Sequence, residues 1–180
     1  SNDFCFIHCY CHFSWILFIS QKKKRNISLK KKNCIINPNT TISMTKVIDI
    51  TAKKYAGVNT EIITTQPQTG PESIEGYYDE AFCIPGLIEE INNNINADGY
   101  IIACFDDTGL DAVRSITDKP VIGIGEAAYH VASFVSGNFS VITTLSRSIN
   151  PLKHNLKKYG LFEKCVSISA IEVPVLDLEE

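Results

Sequence analysis

Near the middle of the chain, residues 103–109 read Ala-Cys-Phe-Asp-Asp-Thr-Gly, so a thiol, two carboxylates and a hydroxyl fall within a few positions. A thiol in such company can act as a nucleophile or as a proton acid and base, depending on how its surroundings set its protonation state. Cys104 closes a short apolar run (residues 99–104) and precedes a helix start. A helix N-terminus favours the thiolate, whereas the neighbouring Asp106 and Asp107 raise the thiol pKa. If Asp107 turns back to cap its own helix, part of that opposition is relieved. Small polar groups recur where other apolar runs end: Asn37-Pro38-Asn39-Thr40-Thr41, Gly123-Ile124-Gly125-Glu126 and Thr143-Thr144. Each precedes a helix start, where free backbone N–H groups can hold a carboxylate or an imide oxygen. Asn, Asp and Thr are also ordinary caps and turn formers, and any one of these loops alone reads equally well that way.

The remaining chemistry-bearing residues have plainer readings. Cys34, Cys83 and Cys165 are scattered singly and suit small buried hydrophobes. Seven cysteines in 180 residues, without the density of a disulfide scaffold, point to free thiols in a reducing compartment such as the cytoplasm. His130 lies mid-helix among apolar residues as a core or pocket-wall histidine. A Cys-His hydrolase would need it near Cys104, and it is the only conceivable base. His154, amid lysines, suits a solvated face. No metal cluster and no P-loop appear in the body, and Gly123-Ile124-Gly125 lacks the rest of a dinucleotide fingerprint, so no cofactor or metal is expected.

Alternating strands and helices must position these groups. The pattern predicts strands at 33–37, 60–65, 99–104, 120–124, 139–143 and 166–173. Helices are predicted from a Thr40 or Thr41 cap through Tyr55, from Pro85 as first residue through Ile95, over 108–116, over 126–136 and over 146–159, where Pro151 kinks or divides the last. Ile42, Val47 and Ile50 fall near one face of the first helix. Leu87, Ile88 and Ile91 point inward from the second, and Ala127, Val131, Ala132 and Val135 share a face of the fourth. Residues 66–80 form a long loop, of the sort that is functional or mobile. Strands and helices alternating at this spacing imply an α/β fold with a parallel sheet and right-handed crossovers, whose ligands bind beyond the carboxyl ends of the strands.

The formal charge of −3 conceals an asymmetry. Residues 1–32 hold seven of the 17 Lys and Arg and one of the 20 acids, which leaves an acidic body and gives no case for nucleic-acid binding. Residues 4–19 are strongly apolar, but the basic run follows them, the reverse of a secretory signal, and the stretch is short for a membrane span. Cys5, His8, Cys9, Cys11 and His12 match no standard zinc spacing. Residues 1–30 therefore read as an extension outside the fold, with no stable membrane span.

Five ordered stretches resemble one family. Ile36-Asn-Pro-Asn-Thr-Thr41 with Ser43-Met44-Thr45, Gly70-Pro-x-Ser-Ile-Glu-Gly-Tyr-Tyr-Asp-Glu80, Ala103-Cys-Phe-Asp-Asp-x-Gly-Leu-Asp111, Pro120-Val-Ile-Gly-Ile-Gly-Glu-Ala-Ala128 and Phe139-Ser-Val-Ile-Thr-Thr144 are similar to hydantoin and allantoin racemases, within the aspartate/glutamate racemase superfamily. The resemblance implies a two-lobed α/β fold, here with a first lobe over 31–124 and an incomplete second lobe over 125–180. It implies cofactor-free racemisation of an imide or carboxylate by two cysteines on opposite faces of a substrate Cα. Cys104 matches the first cysteine. Asn39, Thr40, Asp106, Thr108, Gly125, Glu126, Thr143 and Thr144 fall where the family binds substrate. The family's second cysteine lies about a hundred residues later, by pattern, in a Gly-Cys-Ala-Gly stretch, and Cys165 does not match it. The resemblance then implies either a fragment of a longer racemase, represented without its second cysteine, or a chain that cannot racemise. The alternatives are a single-cysteine decarboxylase or isomerase, or an inactive truncated paralogue that binds a small molecule. A homo-oligomer is compatible with each, and exposed apolar surface predicts poor solubility.

Overall fold

The computed structural model describes residues 30–179, so the expectations for the basic and apolar leader lie outside the described residues. The elements follow in the order β1 (Lys31–Ile36), α1 (Ile42–Tyr55), β2 (Thr60–Thr65), α2 (Tyr77–Asn93), β3 (Gly99–Ile102), α3 (Leu110–Ile116), β4 (Val121–Gly123), α4 (Ile124–Val135), β5 (Phe139–Thr143), α5 (Ile149–Lys158) and β6 (Cys165–Ala170). Short 3-10 turns cover Ser146–Ser148, Phe162–Lys164 and Val175–Glu179. The class is α/β, and every strand pairing is parallel.

Two sheets result. The first has the order β2-β1-β3-β4 and the second pairs β5 with β6. From the central strands β1 and β3, Cys34, Ile36, Tyr100 and Ile102 are buried with Leu87 and Ile91 of α2 and Val113 of α3. A second core gathers Tyr129 of α4, Val141 of β5 and Leu152, Leu156 and Leu161 around α5. Because the strands are parallel, β1 and β3 both end on one side, at Asn37 and Ala103, which is where a ligand is expected.

Several local expectations are corrected. Helix α2 starts at Tyr77, not at Pro85, which lies inside it. Acidic Asp79 and Glu80 favour the earlier start, and the carbonyl of Ala81 that Pro85 leaves without its helical donor belongs to an exposed residue open to water. Pro151 occupies the first turn of α5, where its missing N–H has no intrahelical partner to lose, so it neither kinks nor divides the helix. Thr41 stands at the N-cap of α1, but its hydroxyl donates to the Glu72 carbonyl at 2.6 Å instead of capping. Ile42, Val47 and Ile50 are exposed, and α1 buries no residue fully. On α4 the inward residue is Tyr129, while Val131 and Val135 face out.

The connection before α2 is tied down. Thr40 donates its N–H and its hydroxyl to the Pro71 carbonyl, at 3.0 and 3.4 Å, and Gln66 Nε2 donates to the Thr40 carbonyl at 2.8 Å. The carboxylate of Glu75 is buried. It accepts the Val175 N–H at 2.8 Å and pairs with Arg147, while the Ser148 hydroxyl donates to its backbone carbonyl at 3.1 Å. One acid thus joins this loop to the 3-10 turn after β5 and to the C-terminal 3-10 turn.

Candidate active site

Strand β3 ends at Ile102, two residues earlier than expected, and Cys104 lies in the loop that follows. The loop is a tight turn in which the Asp107 N–H donates to the Cys104 carbonyl at 3.0 Å and the Ala103 N–H to Ile36 at 2.8 Å. Asp107 has a φ of 51°, a left-handed conformation that Asp tolerates better than most residues. Cys104 packs against the first core, while the next side chain, Phe105, turns to the second and meets the Tyr129 ring edge-on at 5.4 Å. The thiol therefore stands at the junction of the two cores.

A cavity of about 360 Å³ opens there. Asn37 and Asn39 reach it from the end of β1, Cys104 and Asp106 from the end of β3, and Thr143 and Thr144 from the end of β5. Its apolar wall includes Met44, Ile48, Ile74 and Ile142, with Val175 and Leu178 from the C-terminal turn. Of the residues expected around the substrate, Asn39, Cys104, Asp106, Thr143 and Thr144 thus share one space.

Thr40, Thr108, Gly125 and Glu126 do not line it. Thr40 holds the loop before α2. Thr108 is fully buried behind the thiol, which donates to its Oγ1 at 3.5 Å. The N–H groups of Gly125 and Glu126, expected to be free for substrate, are taken by the two carboxylate oxygens of Asp107 at 2.9 and 2.6 Å. Asp107 therefore caps α4 and not its own helix, and Tyr159 donates a third bond to it at 2.8 Å. A Cβ on Gly125 would overlap the Phe105 carbonyl oxygen, so this approach requires glycine. Glu126 turns its carboxylate to Arg114 at 2.6 Å.

Burial pushes the Cys104 thiol up to about 11, with the Asp106 charge adding to it. The Thr108 hydroxyl and the backbone N–H groups of Asp106 and Thr108 oppose that rise. The thiol form prevails at neutral pH. Burial first, then Glu80 and Asp107, raise the Asp106 carboxyl to about 7. Cys34, in the first core, and Cys83, on α2, are both buried and pushed up to about 12, mainly by burial, as suits structural thiols. Cys165 begins β6, and neither it nor His130 borders the Cys104 cavity. His130 contacts the rings of Phe134 and Tyr159 instead. His154 is exposed, as expected of its solvated face. Among the described residues no group of three or more His, Cys, Asp or Glu is placed to hold a metal, and no helix is long and apolar enough to cross a membrane.

Sequence reasoning missed Asn37, Glu75 and Ser148. Asn37 was visible in the first motif, and its Nδ2 donates to Asn39 Oδ1 at 2.7 Å and to Thr45 Oγ1 at 3.0 Å, which fixes the Asn39 amide at the cavity. The role of Glu75 depends on residues up to a hundred positions away, which no local pattern signals.

Comparison with known proteins places the α/β fold in a family. The profile of the family described as Asp/Glu/Hydantoin racemase matches residues 34–180. A hydantoin racemase of Pseudomonas sp. (strain NS671) is 44% identical over 147 residues, covering 81% of this chain and 59% of the relative. One from Rhizobium meliloti is 44% identical over 148 residues, covering 81% and 61%. The solved structure of an allantoin racemase from Klebsiella pneumoniae superposes with a TM-score of 0.81 at 42% identity, covering 83% of this chain and 62% of that one. The chain spans about three-fifths of the length of the curated relatives it matches. By the match over residues 34–180 and the 44% identity to two hydantoin racemases, the chain belongs to the Asp/Glu/hydantoin racemase family.

Proposed function

We propose that this protein interconverts the enantiomers of a hydantoin- or allantoin-type amino-acid derivative without a cofactor, with Cys104 as the acid and base on one face of the substrate Cα. The observation that carries this reading is the Cys104 thiol bordering a cavity whose polar wall is Asn37, Asn39, Asp106, Thr143, Thr144 and Ser148, with no Lys or Arg in its lining among the described residues. A free amino acid would bring a carboxylate into that space without a cation to meet it, whereas a cyclic imide is neutral and matches amide and hydroxyl groups. Removing the Cα proton leaves charge on a ring carbonyl oxygen, which donors on the polar wall can stabilise. In the reverse direction the thiol returns a proton to the carbanion, and the thiol form that burial favours at Cys104 is ready for that step.

Thr108 suits both states of the sulfur, since its hydroxyl accepts from the thiol and can turn to donate to the thiolate. The two sheets and two cores support a division into lobes at 31–124 and 125–180, with the cavity at their junction. Unjoined cysteines throughout the described residues suit a reducing compartment.

A second reading follows from the absence of another cysteine in the cavity lining among the described residues. A single thiol delivering a proton to one face would give a decarboxylase or isomerase with fixed product stereochemistry. Incubating each enantiomer of a 5-substituted hydantoin in deuterated water separates the two. Racemisation with Cα deuterium incorporation supports the first reading. Incorporation with retained configuration supports a one-thiol isomerase, and no exchange from either enantiomer excludes the racemase.

A further inference from the structure

A second cavity, of about 410 Å³, lies behind the loop that carries Cys104. It is lined by Tyr77 and Glu80 of α2, by Asp107, by Asp111 of α3, and by His154 and Lys158 of α5. The two cavities have separate linings except for one residue: Asp106 borders both. Its backbone is fixed independently of its carboxylate, because Asn155 Nδ2 donates to the Asp106 carbonyl at 2.6 Å. Asp106 thus stands between the cavity of the thiol and an ionisable, water-accessible space, and its charge is felt at the Cys104 sulfur.

Extending the racemase reading, on which this inference rests, we propose that Asp106 carries protons between Cys104 and solvent, taking them on the substrate side and releasing them into the second cavity. A thiolate that has removed a Cα proton becomes a thiol and must lose that proton before it can act as a base again. In the transfer the S–H bond breaks and an O–H bond forms, giving the Cys104 thiolate and the Asp106 carboxylic acid. The acid then passes its proton to water, or to Glu80 or His154, in the second cavity. One negative charge remains on the Cys104–Asp106 pair throughout the first step, so no extra charge is created in a poorly solvated place.

The charged and titratable groups around Asp106 come from every neighbouring element. They include Cys104 and Asp107 in its own loop, Tyr77 and Glu80 of α2, Asp111 of α3, Tyr129 of α4, and His154 and Lys158 of α5. Burial, Glu80 and Asp107 bring the carboxyl to about 7, where it can both accept and release a proton near neutrality. The Glu80 carboxyl is itself raised by burial, against the opposing charges of His154 and Lys158.

Two readouts on the full chain test this. The first is the pH profile of Cys104 alkylation by iodoacetamide, followed by mass spectrometry, in the wild type, Asp106→Asn, Asp106→Glu and Glu80→Gln. In the wild type, reactivity should rise with pH, flatten across about pH 7 as Asp106 ionises, then resume its rise. Asp106→Asn should remove the flattening, Asp106→Glu should keep it, and Glu80→Gln should move it to lower pH. The second readout is loss of Cα deuterium from labelled hydantoin in ordinary water, compared with racemisation. Asp106→Asn should retain about 10-fold more label per racemisation event, because a deuteron stranded on Cys104 returns to the substrate. The proposal is overturned if the flattening persists in Asp106→Asn, or if label loss and racemisation fall by the same factor. Should Asp106→Asn not fold, an unmoved profile in Glu80→Gln overturns it. A wild type that does not racemise defeats the racemase reading instead, and the alkylation profile then decides on Asp106 alone.

Discussion

The Asp107 carboxylate is bound to the N-terminus of α4 through Gly125, whose N–H it accepts at 2.9 Å from eighteen positions away. The neighbouring Glu126 N–H and the Tyr159 hydroxyl complete its coordination, so one buried acid ties the Cys104 loop to two helices of the second core. Replacing Asp107 by Ala leaves three donors unpaired at that junction. A loss of about 3 kcal/mol or more is expected in urea unfolding, at roughly 1–3 kcal/mol per orphaned buried group. Gly125→Ala should be at least as damaging, because its Cβ has no room beside the Phe105 carbonyl. Near wild-type stability for either would contradict this account of the junction.

Stability should fall as pH rises through neutrality. The Asp106 carboxyl moves from an ordinary 3.8 to about 7 in the folded chain, so the fold prefers its protonated form. That contribution is complete below about pH 4 and is lost progressively as pH rises through 7. Asp107, also raised mainly by burial, acts in the same direction. Urea midpoints from about pH 4 to 8 should decline more in the wild type than in Asp106→Asn. Parallel declines would show that Asp106 does not carry the dependence.

Thr108 should act through Cys104. Thr108→Val keeps the buried volume and removes the hydroxyl that opposes the rise in the thiol pKa. A hydrogen bond to a charged group contributes about 1.5–3 kcal/mol, so thiolate reactivity toward iodoacetamide at fixed pH should drop roughly 10-fold or more. Thr108→Ser should restore it. Equal rates in all three would leave Thr108 a packing role only.

Glu75 should hold the C-terminal turn over the cavity. Its carboxylate accepts the Val175 N–H and pairs with Arg147, and Val175 and Leu178 form part of the cavity wall. Glu75→Ala should cost roughly 1–3 kcal/mol, as leaving the Val175 N–H unpaired does, and should speed amide exchange at Val175. Unchanged exchange there would detach Glu75 from the turn.

The strands and the thiol were legible because their signals are local. The run Gly-Tyr-Ile-Ile ending near Cys104, and the β1 end at Asn37-Pro38-Asn39, needed no knowledge of distant partners. The start of α2 was not legible: Pro85 is a familiar first-turn residue, and only the structure shows the preceding turns continuing through Tyr77. The helix faces were misjudged where packing is one-sided. On α1 Ile42, Val47 and Ile50 face outward while Met44 and Ile48 meet the cavity, and on α4 the buried position is the amphipathic Tyr129. Gly125 and Glu126 looked like free helix-start donors because the sequence gives no sign that Asp107 reaches them across the loop. The shared position of Asp106 between two cavities is likewise a property of the assembled fold.

The most direct test of the central claim follows Cα hydrogen exchange and optical rotation together, for wild type and Cys104→Ser, on a 5-substituted hydantoin in deuterated water. Serine fits the half-buried site but is a far weaker base than a thiolate. Wild type should racemise the substrate with deuterium incorporation, and Cys104→Ser should lose both by a factor of about 1,000 or more while melting within a few degrees of wild type. Exchange and racemisation that persist in a folded Cys104→Ser protein would contradict the account.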